Sequence, residues 1–262
     1  MTVPATLRPY VEALHVYDVD LGAPGIHRGL PATTLTFVLP VDDPLDVSWA
    51  DGSDRRIEWS SLSGLHSCPA AIHHSGHQRG VQLALTVAGA RALFGMPAAA
   101  WSGELLTLDE VAPELGALPE RLAETRPSEW EAVLAHELVE ALSRHGEPGP
   151  RAEVGRALAL LSGGVGVAEV ADDVGYSRRR LGDLVRAETG LAPKGYQRLA
   201  RFESVCRLLG RRPLAEVAAR CGYADQAHLT REFREFAGCT PTTWLRDEFP
   251  YVQDHAGGED AE

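Results

Sequence analysis

The strongest constraint on the fold of this chain is an internal duplication in its C-terminal half. Residues 167–196 and 214–244 follow one pattern, with an offset of 47 residues that becomes 48 where the second copy gains one residue. The shared landmarks are an Ala-Glu-Val-Ala run, a Gly-Tyr pair, and then a leucine, a glycine, a proline and an aromatic residue. A repeated segment of this length indicates one supersecondary unit that occurs twice.

Each copy has the pattern of two short helices joined by a tight turn. In the first copy, Val167, Val170 and Val174 recur at helical spacing, and Gly175 is a residue type that ends helices in the left-handed conformation. Ser177 then provides an N-cap for a second helix. Two helices around a glycine turn, the second with a polar and basic outer face, predict a helix-turn-helix. The second copy has equivalent residues, which are Leu214, Val217, Ala218, Cys221, Gly222, Leu229, Phe233 and Phe236.

The segment between the copies predicts a long connecting helix. Phe202, Val205 and Leu209 recur at helical spacing within 194–210, which corresponds to about 17 residues and roughly 25 Å. One chain then carries two second helices, here called the recognition helices, on one frame. Because adjacent major-groove segments on one face of DNA lie about 34 Å apart, one chain could read two of them.

Both copies resemble the DNA-binding domain of AraC/XylS-type transcription regulators. The resemblance covers 151–246 and implies a sequence-specific transcription factor that binds double-stranded DNA at promoters and works with RNA polymerase. In the second copy it rests on Gly222-Tyr223-Ala224-Asp225-Gln226-Ala227-His228-Leu229-Thr230-Arg231-Glu232-Phe233 and Gly238-Cys239-Thr240-Pro241. In the first copy it rests on Gly175-Tyr176-Ser177-Arg178-Arg179-Arg180-Leu181 and Gly190-Leu191-Ala192-Pro193.

The resemblance also places base-reading positions on the two recognition helices. These positions are Arg179, Gly182, Asp183, Gln226, Ala227, Thr230 and Arg231. Gly182 and Ala227 have no side chain that can hydrogen-bond a base, whereas arginine binds guanine or phosphate and glutamine pairs with adenine. We therefore expect the first copy mainly to bind phosphates, with limited base reading, and the second copy to provide most of the preference for particular bases. The predicted DNA-binding residues are Arg178, Arg179, Arg180, Asp183, Gln226, His228, Thr230 and Arg231.

The distribution of charge agrees with a nucleic-acid partner, although the whole chain has a net charge of −12. Residues 151–246 hold 16 basic and 11 acidic side chains, whereas the remainder holds 9 and 26. A basic module joined to an acidic one is the expected footprint of a DNA-binding domain with a separate partner domain.

The N-terminal half has the alternating pattern of half-buried strands. Leu35, Phe37 and Leu39 alternate with other residues, as do Val81, Leu83 and Leu85. Shorter candidates surround Val47-Ser48-Trp49, Ile57-Glu58-Trp59 and Ala70-Ala71-Ile72, so a small antiparallel sheet or partial barrel is expected. The stretch 29–95 resembles the β-rich module that precedes such DNA-binding domains in actinobacterial regulators. Capping-box patterns at Thr107 and Ser128 predict two helices after it.

The predicted fold class is α+β, with a β-rich module followed by an all-α domain of two helix-turn-helix units. The module spans 1–146 and serves effector binding or dimerisation; its helical hairpin spans 107–145. A hinge at 147–150 leads to the DNA-binding domain at 151–248 and an acidic tail at 249–262. The chain shows neither a membrane-length apolar run nor a signal sequence, so a cytoplasmic protein is expected.

Two other functions stay open at this stage. The histidines His66, His73, His74 and His77 could bind a metal, which would fit an enzyme in the N-terminal module tethered to a DNA-binding domain. Surface or hydrogen-bonded structural histidines are the alternative, and we expect no catalytic residue, cofactor or metal. A protein-interaction adaptor could use the apolar side of the Trp130 helix. The tryptophans Trp49, Trp59, Trp101 and Trp130 could line an effector pocket or belong to the core.

Overall fold

The N-terminal half is built on two antiparallel sheets. In the computed structural model, which describes residues 3–145 and 150–247, the strands follow the order β1-β8-β3-β6-β9 in one sheet and β2-β7-β4-β5 in the other. The strands are β1 (Val11–Asp20), β2 (Gly25–Gly29), β3 (Leu35–Pro40), β4 (Leu45–Trp49), β5 (Arg56–Glu58), β6 (Ser61–Ser63), β7 (Ala70–His74), β8 (His77–Leu85) and β9 (Leu105–Leu106).

Alternation along the central strands builds the core, as the sequence predicted. In β3, Leu35, Phe37 and Leu39 point inward and are at most 1% exposed. Strand β8 pairs with β3 on one side and with β1 on the other, so that Phe37 lies opposite Leu83. The predicted strands at β3, β4, β5, β7 and β8 are confirmed. The two-sheet arrangement also uses β1 and β2, which the sequence did not predict.

The helices of the N-terminal half differ in two respects from the expected hairpin. They are α1 (Val87–Phe94), α2 (Leu108–Val111), α3 (Leu118–Ala123) and α4 (Trp130–His145). The capping box at Thr107 is present, but the expected first helix is broken, because Pro113 begins a separate 3-10 turn and α3 begins anew at Leu118, with Pro119 in its first turn. A proline cannot donate the backbone hydrogen bond that would continue a helix. The second helix begins at Trp130, after a 3-10 turn over Pro127–Glu129, and not at Ser128.

Helix α4 packs against α1 within the chain. Trp130, Leu134 and Leu138 are at most 1% exposed, and the indole of Trp130 donates to the carbonyl oxygens of Leu122 and Thr125 at 2.8 and 3.0 Å. The apolar side of α4 is therefore occupied by its own domain. It does not offer the exposed surface that the adaptor hypothesis needed.

The C-terminal half contains the two predicted helix-turn-helix units and the long helix between them. Its helices are α5 (Ala152–Ser162), α6 (Val167–Asp173), α7 (Arg178–Thr189), α8 (Pro193–Leu208), α9 (Leu214–Arg220), α10 (Gln226–Ala237) and α11 (Pro241–Asp247). Helices α6 and α7 form the first unit, and α9 and α10 form the second. The connecting helix α8 has 16 residues, one fewer than the sequence predicted.

The two units differ in how they are packed. Buried residues of α5, α6 and α7, together with Tyr196 of α8, join one continuous apolar cluster with the strands and helices of the N-terminal half. The second unit has a cluster of its own around Phe202, Phe233 and Trp244. The first recognition helix thus shares its core with the N-terminal half, while the second packs against α8, α9 and α11.

Three further expectations concern the hinge, the tail and the membrane. The predicted hinge, except for Pro150, and the acidic tail at 249–262 lie outside the described residues. Over residues 3–145 and 150–247, no helix is long and apolar enough to cross a membrane.

Candidate DNA-binding surface

The turn of the first unit fixes the direction in which α7 leaves the core. Gly175 has φ +72°, a left-handed conformation that costs glycine little because it has no Cβ. The hydroxyl of Ser177 accepts a hydrogen bond from the backbone N–H of Arg180 at 3.2 Å and so caps α7. Leu181 and Val185 then anchor the helix, being at most 1% exposed, and leave its other face in solvent.

The second unit repeats this geometry with different side chains. Gly222 also has φ +72°, and the carboxylate of Asp225 accepts from the backbone N–H of His228 at 2.7 Å. Leu229 and Phe233 bury the inner face of α10. Both recognition helices end in a left-handed glycine, Gly190 and Gly238. The duplication seen in the sequence is therefore a duplication of backbone geometry.

The outer face of α7 carries most of the residues predicted for the first copy. Arg178, Arg179, Arg180 and Asp183 are all exposed. Gly182 faces the same way but is buried under neighbouring side chains. The structure thus leaves all three consecutive arginines accessible at the start of α7.

The outer face of α10 is divided between free and engaged side chains. Gln226, Ala227 and Arg231 are exposed. Thr230 is half-buried, and its hydroxyl donates to the carbonyl oxygen of Gln226 at 2.8 Å. His228 is also half-buried, with its Nδ1 accepting from the backbone N–H of Ala224 at 3.5 Å. Its ring packs edge-on against Tyr223 at 5.1 Å, so the structure gives His228 a role in the turn.

Ion pairing separates the arginines of the recognition helices from those of the scaffold. The six arginines of α7 and α10 form no ion pair with any residue that the structure describes; they are Arg178, Arg179, Arg180, Arg186, Arg231 and Arg234. Outside these helices, Arg151 and Arg211 also lack one within the described ranges. The other scaffold arginines of the C-terminal half are paired with carboxylates, namely Arg156, Arg198, Arg201, Arg207, Arg212, Arg220 and Arg246.

A buried carboxylate, Glu232, ties the second recognition helix to α8. It is 5% exposed and accepts hydrogen bonds from Arg198, Arg201 and Tyr223 at 2.7–3.1 Å. Burial by itself raises the pKa of Glu232, but the hydrogen bonds from Arg198, Arg201 and Tyr223 outweigh it and hold the pKa below its ordinary value. Arg201 also lies over the ring of Tyr223, 4.5 Å from its centre.

Sequence reasoning missed this network, although one signal was present. Glu232 lies three residues after Leu229 and four before Phe236, which places an acidic side chain on the apolar face of a helix. A charged residue in such a position needs a buried partner. The two arginines of α8 supply that partner and keep α10 in a fixed orientation.

Of the four histidines singled out in the sequence, His66 lies apart, whereas His73, His74 and His77 border one cavity. Nδ1 of His66 is 2.6 Å from the carbonyl oxygen of Cys68, and the His66 ring packs on Trp49 at 4.9 Å. His73 and His74 lie on β7, and His77 of β8 pairs with Asp18 at 2.7 Å. Across the described part of the chain, no group of three or more His, Cys, Asp or Glu side chains is arranged to hold a metal ion.

The tryptophans and cysteines have mainly structural surroundings. Trp49, Trp101 and Trp130 are at most 7% exposed, whereas Trp59 is 48% exposed. The tryptophans therefore belong largely to the core rather than to one pocket. The four cysteines, all within the described residues, form no disulfide: Cys68 is exposed, and the other three are half-buried.

Comparison with known proteins assigns the duplicated part to a family. A family model described as a helix-turn-helix domain matches residues 170–247. Among curated proteins, none matches this chain.

Solved structures resemble the chain over most of its length or over its C-terminal part. ToxT from Vibrio cholerae O395 is 10% identical with a TM-score of 0.54, and the match covers 90% of this chain and 97% of ToxT. Wild-type ToxT from Vibrio cholerae strain SCE256 with an unsaturated fatty acid bound is also 10% identical, with a TM-score of 0.54. That match covers 90% of this chain and 95% of ToxT. The DNA-binding domain of AdpA, solved in complex with a target DNA, is 31% identical with a TM-score of 0.34, covering 39% of this chain and 97% of that domain.

At 10% identity, the likeness to ToxT concerns the fold, namely a β-rich N-terminal region followed by a helical C-terminal domain. The family match falls on both recognition helices and on the helix between them. Residues 170–247 are therefore a helix-turn-helix domain of the AraC type, and the chain is a DNA-binding transcription regulator with a separate N-terminal domain.

Proposed function

We propose that the protein binds specific promoter sequences through the outer faces of α7 and α10, and that its N-terminal half carries regulation. The observation that supports this proposal most directly is the pairing pattern of the arginines. All the arginines on the two recognition helices lack a carboxylate partner among the described residues, whereas most scaffold arginines have one. Unpaired guanidinium groups on exposed helices suit the phosphates and guanine edges of DNA.

The two helices are proposed to contribute differently to binding. Arg178, Arg179 and Arg180 lie at the N-terminal end of α7, where the positive end of the helix dipole adds to their attraction for phosphate. Gln226 and Arg231 are exposed on α10 and have the donors and acceptors that read adenine and guanine. Asp183 and Thr230 complete the proposed interface, and His228 contributes through the shape of its turn.

The proposal is tested by single substitutions in both helices. Arg231→Ala and Arg179→Ala should each weaken binding to a promoter fragment by about 1–3 kcal/mol in a gel-shift titration. Arg220→Ala is the matched control, because Arg220 is exposed but paired with Glu216 at 2.8 Å. If both recognition-helix variants bind as the unaltered protein does, the proposed docking is wrong.

Salt dependence provides a second, independent measurement. A protein that neutralises several phosphates releases bound counterions, so its affinity should fall steeply as salt rises. The slope of the logarithm of affinity against that of salt should become shallower in Arg179→Ala. An unchanged slope would argue against a phosphate contact at this residue.

The N-terminal half is proposed to bind a small effector. A cavity of about 360 Å³ is bordered by residues of both sheets, and most of the residues that line it are polar or charged, including Tyr17, Asp46, His73, His74 and Arg79. Such walls suit a small polar molecule better than a long alkyl chain, even though one ToxT structure holds an unsaturated fatty acid. A thermal-shift panel of sugars and amino acids with oleate should show stabilisation by a polar compound. Stabilisation by oleate alone would contradict this assignment.

Contact with RNA polymerase, dimerisation and the absence of enzymatic activity are further parts of the proposal. We expect contact with RNA polymerase at the promoter, a homodimer formed through the N-terminal half and no enzymatic activity. Size-exclusion chromatography with light scattering on the full chain tests the dimer, and transcription from a promoter template with purified polymerase tests the contact with polymerase.

A further inference from the structure

One position on the outer face of α7 has no side chain, and an arginine fills the space above it. Arg179, Gly182, Asp183 and Arg186 follow the spacing i, i+3, i+4 and i+7, so they form one stripe on one side of the helix. A Cβ added to Gly182 would meet Nη1 of Arg186 at 3.7 Å, and it would meet no other atom within 4 Å beyond the adjoining backbone. The guanidinium of Arg186 therefore lies over Gly182.

The direction of this side chain follows from helix geometry. Side chains on an α-helix lean towards its N-terminus, so a long residue covers the surface of the turn before its own. Arg186 lies one turn after Gly182 and is exposed. No carboxylate in the described chain pairs with it. Its charged group is thus held beside Arg179 and Asp183, on the surface that faces DNA in the proposed function.

We propose that Arg186 is a specificity-determining residue that occupies the place left empty at Gly182 and reads one guanine in the major groove. Two parallel N–H groups of a guanidinium match the O6 and N7 acceptors of guanine. Because Gly182 has no side chain, there is room above it for the long side chain of Arg186 from the next turn of the helix. The inference rests on the proposed docking of α7 and adds a base contact to a helix otherwise assigned mainly to phosphates.

The second copy offers an internal comparison. Arg234 of α10 occupies the place equivalent to Arg186, and Thr230 occupies the place equivalent to Gly182. Arg234 is also exposed and without an ion pair to a described residue. Both arginines lie in the last turn of their helix, where a positive charge is favourable at the C-terminal end. Only Arg186 has an empty position beneath it, so only Arg186 is expected to change base preference.

The experiment selects bound sequences from a random pool of DNA duplexes with the full-length protein. The unaltered protein is compared with Arg186→Ala, Arg186→Lys and Arg234→Ala. At one base pair, the preference for guanine should fall between about 5-fold and 150-fold in Arg186→Ala. Arg186→Lys should lose most of that preference as well, while its affinity for unselected duplex stays close to that of the unaltered protein, because lysine keeps the charge but not the two-pronged geometry.

Arg234→Ala should weaken binding about equally across sequences and leave every base preference in place. A profile of Arg186→Ala that matches the unaltered protein at every base pair overturns the inference while leaving the proposed function intact. The inference also fails if Arg186→Lys keeps the full preference for guanine, since charge alone would then suffice. If the unaltered protein enriches no sequence at all, the proposed function itself fails. Circular dichroism of the variants should show unchanged helix content, which separates base reading from helix stability.

Discussion

The Nε of Arg91, in the N-terminal half, donates a hydrogen bond to Oε1 of Glu188 in the first recognition helix at 2.7 Å. Arg91 belongs to α1, and Glu188 lies in the last turn of α7. Glu188 is 5% exposed, so Arg91 is the charged partner of a nearly buried side chain. Close by, a Cβ on Gly190 would come within 2.3 Å of the Cβ of Ser102. The N-terminal half therefore contacts the C-terminal end of α7, the helix that is proposed to bind DNA.

Arg91→Ala should destabilise the protein through Glu188. Removing the arginine leaves a nearly buried carboxylate without its partner, and such a group costs about 1–3 kcal/mol. The free energy of unfolding, measured with urea, should fall by that amount. Because the two residues join the two halves, operator affinity should fall as well.

A double-mutant cycle with Glu188→Gln separates this ion pair from other effects. The loss from Arg91→Ala should be smaller in the Glu188→Gln background, because no charge is then left unpaired. Additive losses would show that the two residues do not interact in solution.

The carboxylate of Glu232 should make the second unit sensitive to acid. Because its pKa is lower in the folded state than its ordinary value of 4.5, its stabilising contribution is complete above that pH and is lost as the pH falls through the folded-state value. Glu232→Gln should cost about 2 kcal/mol at pH 7, because it removes charge-assisted hydrogen bonds, and reduce the loss of stability below about pH 4.5. Unfolding titrations between about pH 3 and pH 7 measure both effects.

Glu235→Gln is the appropriate comparison for that experiment. Glu235 also pairs with Arg198, but its side chain is 62% exposed, so solvent screens the interaction. The change should therefore be within about 0.5 kcal/mol at pH 7. An equal effect of the two substitutions would show that burial of Glu232 is unimportant.

Arg179→Ala and Gln226→Ala should affect different aspects of DNA recognition. Loss of Arg179 should weaken binding similarly on matched and mismatched sites and reduce the salt slope by about 1. Loss of Gln226 should cost about 1–3 kcal/mol on the matched site and little on a site with its adenine replaced. Titration of each variant against both duplexes checks the assignment, which is wrong if the two variants lose discrimination equally.

Gly175→Ala should destabilise the first unit by a purely conformational effect. Its φ of +72° is unfavourable for alanine by about 1–2 kcal/mol, and a Cβ there would meet no atom within 4 Å. Gly195→Ala should have the opposite effect on stability. Gly195 lies in the helix α8, where alanine is favoured over glycine, and a Cβ there would also meet no atom within 4 Å. That change should stabilise the protein by up to about 1 kcal/mol. Urea unfolding of the two variants should show shifts of opposite sign.

Local patterns made the C-terminal half predictable from the sequence, whereas long-range pairing hid part of the N-terminal half. The turns at Gly175 and Gly222 depend on residues next to them, so the glycine and the apolar spacing were sufficient. Strand β1 alternates poorly, and several of its side chains are only half-buried. It is a strand because it pairs with β8 along its length, from Val11 opposite Leu85 to Asp20 opposite His77, and no local pattern encodes that partner.

For the predicted DNA-binding residues too, local patterns could be predicted from the sequence and contacts that depend on the fold could not. The outer, exposed positions of the α7 arginines and of Gln226 and Arg231 in α10 could be predicted from the sequence, because a duplicated helix pattern is enough to assign an inner and an outer face. It could not show that His228 packs against Tyr223, since that contact depends on the path of the turn.

The pattern of apolar residues and turns was enough to predict two helix-turn-helix units after a β-rich region, and basic outer faces on the recognition helices. Which arginines are paired could be seen only in the folded chain. Glu232 pairs with Arg198 and Arg201, and Glu188 pairs with Arg91 of the N-terminal half, while Arg186 lies over Gly182 without a carboxylate from the described residues. Charge pairing depends on distances between side chains that are far apart in sequence, and the helical period contains no information about those distances.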